Sequence, residues 1–154
     1  MPSFVDRIAD LAIELPRVPK PIANFVPWRV SGDLIFLSGQ ICEWNGTVTH
    51  AGRVGEAHDL PAGRAAARIC GLNLMAALAA ASEATGRAVA HCVRLGGFVH
   101  CALGYPEVPR VIDGASDLMH ELFGAEGAHA RTSVGVASLP RNAAVEVDAV
   151  FAFA

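Results

Sequence analysis

Alternating apolar and polar positions mark the last quarter of the chain, residues 131–153, as two β-strands. Between them, residues 139–142 (Leu-Pro-Arg-Asn) carry turn formers, since proline presets φ and asparagine tolerates the left-handed region. The pattern predicts a β-hairpin. This hairpin would bring Arg131, at the start of its first strand, close to Glu146 on its second.

Arg131 and Glu146 admit two interpretations from the residues alone. The first is an ordinary salt bridge at the edge of a sheet. The second is a carboxylate-binding site, in which the planar guanidinium grips a carboxylate with two parallel hydrogen bonds. The neighbouring glutamate would then orient a water molecule or shuttle a proton. Both interpretations stay open at this stage.

Helical periodicity is found in three segments. An apolar stripe over residues 3–15 predicts an amphipathic helix that begins with a Ser3–Asp6 capping box and ends before Pro16. A long alanine-rich helix is predicted from Asp59-Leu-Pro61 to Gly86, with proline in its first turn. A third helix is expected over residues 111–123, closed by a glycine.

Further strands are predicted near residues 29–30, over 34–41 and over 88–101. The second of these is apolar enough for a strand buried on both faces, and Gly39 near its end permits close approach of a backbone or a ligand. Asn45-Gly46 indicates a tight turn, and Gly96-Gly97 a bulge or bend. The order helix, then β-β-α-β-α-β-β, predicts an α+β fold with two long helices on one face of a mixed sheet.

Size and composition restrict the function classes. A chain of 154 residues predicts one domain, and 53% hydrophobic with 18% charged residues is apolar for a protein of this size. We therefore expect apolar surface to be buried against other subunits. A net charge of −3 without a basic cluster argues against nucleic-acid and membrane-surface partners. The sequence shows no apolar run long enough to span a bilayer. Acidic residues interrupt the apolar positions near the N-terminus, so this segment is not expected to be a secretory signal.

Cysteines and histidines show no metal-binding pattern. The four cysteines (Cys42, Cys70, Cys92 and Cys101) are scattered and form no C-x-x-C pair, so reduced cytoplasmic thiols are expected rather than a zinc site or a disulfide framework. None of the six histidines has metal-ligand spacing. His129 differs from the others because it precedes Arg131 by two residues and would share its face of the strand.

The C-terminal segment resembles the signature of the Rid family, the reactive-intermediate (imine) deaminases also called YjgF-type or L-PSP-type proteins. The shared pattern is Ala-Arg131-x-x-Val-x-Val-x-x-Leu-Pro-x-x-Ala-x-Val-Glu146-Val-x-Ala. Leu-Ser38-Gly39-Gln40 resembles the family's strand end, residues 65–73 its first long helix, and Phe98-Val99 its third strand. The resemblance covers residues 17–153. The helix within residues 1–15 and the Gly-Ala-Ser-Asp-Leu stretch at 114–118 resemble a longer-chain subgroup.

The resemblance implies one chorismate-mutase-like domain over residues 1–154 and a homotrimer with pockets between subunits. It also implies a hydrolytic deaminase, without cofactor or metal, that converts 2-imino or 2-enamino acids to 2-keto acids and ammonia. Arg131 would bind the carboxylate of the small-molecule substrate. Glu146 and the backbone carbonyl of Ser133 would hold the attacking water, and the strand end at Ser38 and Gly39 would line the pocket.

Three residues of the substrate-binding site that the resemblance implies, Phe25, Asp113 and Ser133, depart from the family pattern. Phe25 stands where the family often has tyrosine, and Ser133 replaces a common cysteine but keeps the carbonyl. Asp113 falls near a position often held by asparagine, and its charge would disfavour an anionic substrate unless it is paired or protonated. These departures keep a second class open, a non-catalytic protein that binds a small carboxylate. The endoribonuclease label that accompanies the family fits poorly with the negative net charge.

Overall fold

The computed structural model describes residues 2–154. In chain order the helices and strands are α1 (Phe4–Asp10), β1 (Trp28–Ser31), β2 (Leu34–Ile41), β3 (Glu43–Trp44), β4 (Thr47–Val48), α2 (Leu60–Thr85), β5 (Val89–His100), α3 (Val108–Phe123), β6 (Ala130–Val136) and β7 (Val145–Phe153). Short 3₁₀ turns cover Gly124–Gly127 and Pro140–Asn142.

Five strands form one mixed sheet in the order β1-β2-β7-β5-β6. β6 runs parallel to β5, and the other neighbours in this sheet are antiparallel. The helices α2 and α3 pack against each other and cover one face, burying Val145, Val147 and Phe151 of β7 completely. The α+β fold class predicted from the element order is confirmed.

The predicted C-terminal hairpin is wrong. β5 lies between β6 and β7 and pairs with both of them. The turn residues have the local geometry expected of them, since Asn142 has a φ of 60°. Alternation along a strand specifies the face that each side chain takes, but not which strand lies alongside. The segment after β6 therefore crosses β5 before β7 begins.

The N-terminal helix starts as predicted and ends early. The Ser3–Asp6 capping box is present, with the Asp6 N–H donating to Ser3 Oγ at 3.2 Å and the Ser3 N–H donating to Asp6 Oδ2 at 2.9 Å. The helix stops at Asp10 because Ala12 takes a left-handed φ of 51° and the Ile13 N–H bonds back to the Ile8 carbonyl. Residues 11–15, predicted to be helical, form no helix.

The second strand was predicted to be buried on both faces, and this is also wrong. Ile35 and Leu37 are 0% and 4% exposed, whereas Leu34 and Phe36 on the other face are 37% and 45% exposed. The face of the sheet opposite the helices is therefore open in this chain, and it carries apolar side chains. The bulge predicted at Gly96-Gly97 is absent too, since the irregularities of β5 fall between Val89 and Arg94.

The long helix α2 has the predicted ends. The Asp59 side chain accepts a hydrogen bond from the Ala62 N–H, and Gly86 closes the helix with a left-handed φ of 65°. Contrary to the expectation from sequence, α2 is long and apolar enough to cross a membrane by length and composition. However, 67% of its most apolar stretch is buried inside the protein, as in a core helix.

Candidate active site

Arg131 lies on the helix-covered face of the sheet. Its Nη1 donates to Asp113 Oδ1 at 2.8 Å and to Ser116 Oγ at 3.0 Å, and its Nη2 donates to the Pro109 carbonyl at 3.1 Å. The side chain is 22% exposed. A guanidinium has five N–H groups, so two of them, at Nε and Nη2, have no acceptor among residues 2–154. Two adjacent donors are what a carboxylate needs for a bidentate contact.

Asp113, one of the three departures from the family pattern, is the ion-pair partner of Arg131. Because the paired side chains are together electrically neutral, Asp113 remains compatible with an anionic ligand at this site. The Asp113 side chain is 40% exposed, so the pair lies at the surface of this chain rather than in its core.

His129 shares the face of Arg131, as its spacing predicted. Its Nε2 lies 2.9 Å from Ser116 Oγ, the same hydroxyl oxygen that Arg131 contacts, and its Nδ1 lies 2.6 Å from the Gly127 carbonyl. Burial lowers the pKa of His129, partly opposed by the hydrogen bond to Gly127, and the charge of Arg131 lowers it further. The Ser133 hydroxyl, two residues beyond Arg131, is buried and has no hydrogen-bond partner in the described part of the chain.

Glu146 projects from the opposite, open face of the sheet, because its neighbours Val145 and Val147 point into the core. A Cβ atom at Gly39 would lie 2.5 Å from Glu146 Oε1, so a larger residue there would displace this carboxylate from its place over Gly39. Burial raises the pKa of Glu146, and the charge of Asp148 raises it further. Within residues 2–154 the carboxylate forms no ion pair or side-chain hydrogen bond.

A cavity of about 230 Å³ adjoins Glu146. This volume is smaller than the roughly 300–1,000 Å³ of pockets for drug-sized ligands, so it suits a small metabolite. Of the predicted site residues, Phe25, Gly39 and Glu146 line it. Its other walls are mostly apolar, but they include three charged side chains, Lys20, Glu43 and Arg141. The remaining lining residues are Pro19, Pro21, Ile22, Ala23, Pro27, Gln40, Ile41 and Pro140.

Two basic residues of this cavity were not predicted. Arg141 donates to Glu43 Oε2 at 2.7 Å and to the Gly46 carbonyl at 2.6 Å, which ties the segment before β7 to the β3–β4 turn. Lys20 lies in the proline-rich segment before β1 and is exposed. Neither residue carries a sequence signal, because the segments that bring them to Glu146 are irregular.

Ser38 supports the cavity without lining it. Its hydroxyl donates to the Val26 carbonyl at 2.6 Å and so fastens the loop that bears Phe25 to β2. The predicted site residues thus divide into two groups. One group surrounds the cavity, and the other (Arg131, Asp113 and Ser133) lies on or against β6. A salt bridge between Arg131 and Glu146, the first interpretation of the sequence, is absent from the chain as described.

Between residues 2 and 154 no three or more His, Cys, Asp or Glu side chains come together in a way that could hold a metal ion. The four cysteines are free thiols.

Comparisons with known proteins agree with this architecture. A family model described as "YjgF/chorismate_mutase-like, putative endoribonuclease" matches residues 5–154. The protein TCP17 of Trypanosoma cruzi is 40% identical over 141 residues, which cover 91% of this chain and 88% of that protein.

Two solved structures extend the likeness. Protein Atu1372 of Agrobacterium tumefaciens superposes with a TM-score of 0.87 at 36% identity, covering 98% of this chain and 92% of that one. A protein of Shewanella oneidensis MR-1, which carries the same endoribonuclease description, has a TM-score of 0.90 at 29% identity and covers 98% and 99% of the two chains. The chain therefore belongs to the YjgF family, the Rid or L-PSP proteins of chorismate-mutase-like fold.

Proposed function

We propose that this protein is a cofactor-independent deaminase of 2-imino or 2-enamino acids, with Arg131 as carboxylate anchor and Glu146 as the residue that activates water. The observation that carries the proposal is the state of these two side chains. Within the described residues, Arg131 keeps two N–H groups without an acceptor, and Glu146 is a partly buried, unpaired carboxylate at the wall of a small, mostly apolar cavity.

The two residues take part in one reaction only if they come from different subunits, since they occupy opposite faces of the sheet in a single chain. We propose a homotrimer, as the family resemblance implies, in which the β6 side of one subunit meets the cavity of its neighbour. The open sheet face supports such an assembly, because Leu34, Phe36 and Val134 are 37%, 45% and 41% exposed. Burying this face would also explain the apolar composition.

In the proposed reaction, Glu146 acts first as a proton acceptor and then as a proton donor. The oxygen of water attacks the carbon of the C=N bond while Glu146 takes a proton from the water. Glu146 passes this proton to the nitrogen, which gives the neutral carbinolamine. Glu146 then takes the proton of the carbinolamine hydroxyl and delivers it to the nitrogen, so that ammonia leaves, the carbonyl forms and a 2-keto acid remains. The raised pKa of Glu146 suits both directions of this transfer, because it brings the carboxyl closer to neutral pH. The Ser133 carbonyl would be a second acceptor for the water.

Subunit complementation tests the proposal. Arg131→Lys and Glu146→Gln subunits carrying different tags are co-expressed, and oligomers that hold both tags are purified. In any mixed cyclic trimer, only one of the three interfaces joins an intact Arg131 to an intact Glu146. Ammonia and keto-acid release from imino acids generated in situ by an amino-acid oxidase should therefore recover to about one third of the wild-type rate.

The controls are the two homo-oligomeric variants, which should both be nearly inactive. Mixed oligomers as inactive as these parents would refute a site shared between subunits. Activity confined to one parent alone would show that only the residue intact in that parent is required.

A non-catalytic carboxylate binder is the second candidate, and Phe25 favours it, because it brings no hydroxyl to the cavity. In that case wild-type protein would bind pyruvate, the smallest 2-keto acid, yet would not accelerate ammonia release above the spontaneous rate.

A further inference from the structure

Ser116 connects two side chains that the proposed mechanism leaves unrelated. It belongs to the Gly-Ala-Ser-Asp-Leu stretch of α3 and is 8% exposed. Its hydroxyl oxygen lies 3.0 Å from Arg131 Nη1 and 2.9 Å from His129 Nε2. A guanidinium only donates hydrogen bonds, so Ser116 Oγ accepts the bond from Arg131. The hydroxyl hydrogen is then available for His129.

The Gly127 carbonyl determines the tautomer of His129. A carbonyl oxygen only accepts hydrogen bonds, so the 2.6 Å contact with Nδ1 requires the proton on Nδ1. In the neutral ring, Nε2 is then an acceptor that faces the Ser116 hydroxyl. Burial lowers the pKa of His129, and the nearby His120 and Arg131 act in the same direction, which favours the neutral ring.

The four groups therefore form a chain of hydrogen bonds that all point the same way, from Arg131 to Ser116, to His129 and to the Gly127 carbonyl. Bonds aligned in this way polarise one another. The Ser116 hydroxyl accepts one hydrogen of Arg131 Nη1, Asp113 accepts the other, and the Pro109 carbonyl accepts one hydrogen of Nη2. These contacts hold the guanidinium plane and leave the Nε side available for a ligand.

We propose that Ser116 and His129 are positioning residues for Arg131, which hold its guanidinium in the orientation that binds the substrate carboxylate. The inference rests on the proposed function for the identity of the ligand. It adds two residues that act on Arg131 through hydrogen bonds and touch neither the substrate nor the attacking water.

The first test is spectroscopic and independent of turnover. In wild-type protein with ¹⁵N-labelled histidine, the ring nitrogen shifts of His129 should show the Nδ1–H tautomer at neutral pH. Adding pyruvate should move its Nε2 signal, and Ser116→Ala should abolish that response. An Nε2–H tautomer, or an Nε2 signal that responds to pyruvate equally in the Ser116→Ala variant, would overturn the proposal.

The second test separates binding from chemistry. Ser116→Ala should raise KM for the imino acid and Kd for pyruvate by about tenfold, the scale of one hydrogen bond to a charged group, with kcat within about twofold of wild type. Ser116→Thr keeps the hydroxyl and should restore most of the affinity. Ser82→Ala is the matched control, because it removes another hydroxyl on a helix. The Ser82 hydroxyl donates to the Arg87 carbonyl at 2.7 Å and forms no hydrogen bond with Arg131.

The outcomes are distinguishable. Ser116→Ala kinetics equal to those of Ser82→Ala would refute the positioning role while leaving the proposed function intact. A wild-type protein that neither releases ammonia nor binds pyruvate would refute the proposed function, and with it the purpose of the hydrogen-bond chain. If Ser116→Ala does not fold, two His129 variants replace it. His129→Gln has a side-chain oxygen that can accept from the Ser116 hydroxyl, whereas His129→Leu has no acceptor. The leucine variant alone should lose affinity, and equal affinity in the two would overturn the proposal.

Discussion

Arg131 and Glu146 lie on opposite faces of one β-sheet, on strands that are separated by β5. Arg131 pairs in register with Leu95 of β5, and Glu146 with Phe98 on the other side of the same strand. The guanidinium points to α3, where it contacts Asp113, while the carboxylate stands over Gly39. Under the proposed function, these two side chains would meet only across a contact between subunits.

Replacing Arg131 by lysine tests the carboxylate anchor. Lysine keeps the charge but loses the planar fork, so we expect pyruvate binding to weaken by about tenfold or more. Isothermal titration calorimetry measures the effect. Arg110→Lys is the matched control, because Arg110 lies on α3 in a surface ion pair with Glu107. Affinity in Arg131→Lys equal to that of the control would contradict the assignment.

Replacing Glu146 by glutamine separates the enzyme from the binder. We expect turnover to fall by roughly 10²–10⁴-fold, the usual effect of a positioned acid–base group. Pyruvate binding should persist, because Arg131 still holds the carboxylate. If turnover is unchanged, or if turnover and pyruvate affinity fall together with loss of folding, Glu146 is structural.

Glu146→Gln should also change the thermal stability of the protein. Glu146 has no ion-pair or hydrogen-bond partner among residues 2–154, and burial raises its pKa in the folded state, so its charged form disfavours folding. Glu146→Gln should therefore melt no lower than wild type at pH 7. This difference should shrink as the pH falls through the raised pKa, where wild-type Glu146 becomes protonated. Thermal melts at pH 7 and at pH 4 measure it, and a large loss of Tm at pH 7 would indicate a structural ion pair.

Asp148 should influence the pH dependence of catalysis. Burial is the largest cause of the raised pKa of Glu146, and the charge of Asp148 raises it further. Asp148→Asn removes this contribution, so the acidic limb of the pH–rate profile should move to lower pH. Glu83→Gln, which removes an exposed charge on α2, should leave the profile in place. A shift to higher pH, or no shift, would show that Glu146 does not determine this limb.

The open sheet face should be the assembly surface. Phe36→Glu places a charge among the exposed apolar side chains of this face, so we expect the oligomer to dissociate and activity to be lost with it. Light scattering at micromolar concentration, with wild type expected as a trimer, measures the mass. Leu11→Glu, at an exposed apolar residue beside α1 and away from the sheet, is the control. A stable wild-type monomer would refute the trimer and the shared site.

The sequence by itself determined the elements that local chemistry controls. The capping box at Ser3, the N-cap at Asp59 and the left-handed cap at Gly86 each act within a few residues of the chain, so their positions could be predicted. The alternation around Arg131 and around Glu146 also assigned their neighbours to the correct faces, because side chains on a strand point alternately to its two sides.

Only the tertiary structure decided which faces and strands meet. The two C-terminal strands have hairpin-like alternation and turn residues, yet β5 pairs with both and separates them, since pairing partners depend on hydrogen bonds between distant segments. The same holds for Ser116, which reaches both Arg131 and His129 only because α3 packs beside β6. Lys20 and Arg141 come to the cavity of Glu146 through irregular segments, whose course depends on tertiary contacts such as the bond from Arg141 to Glu43.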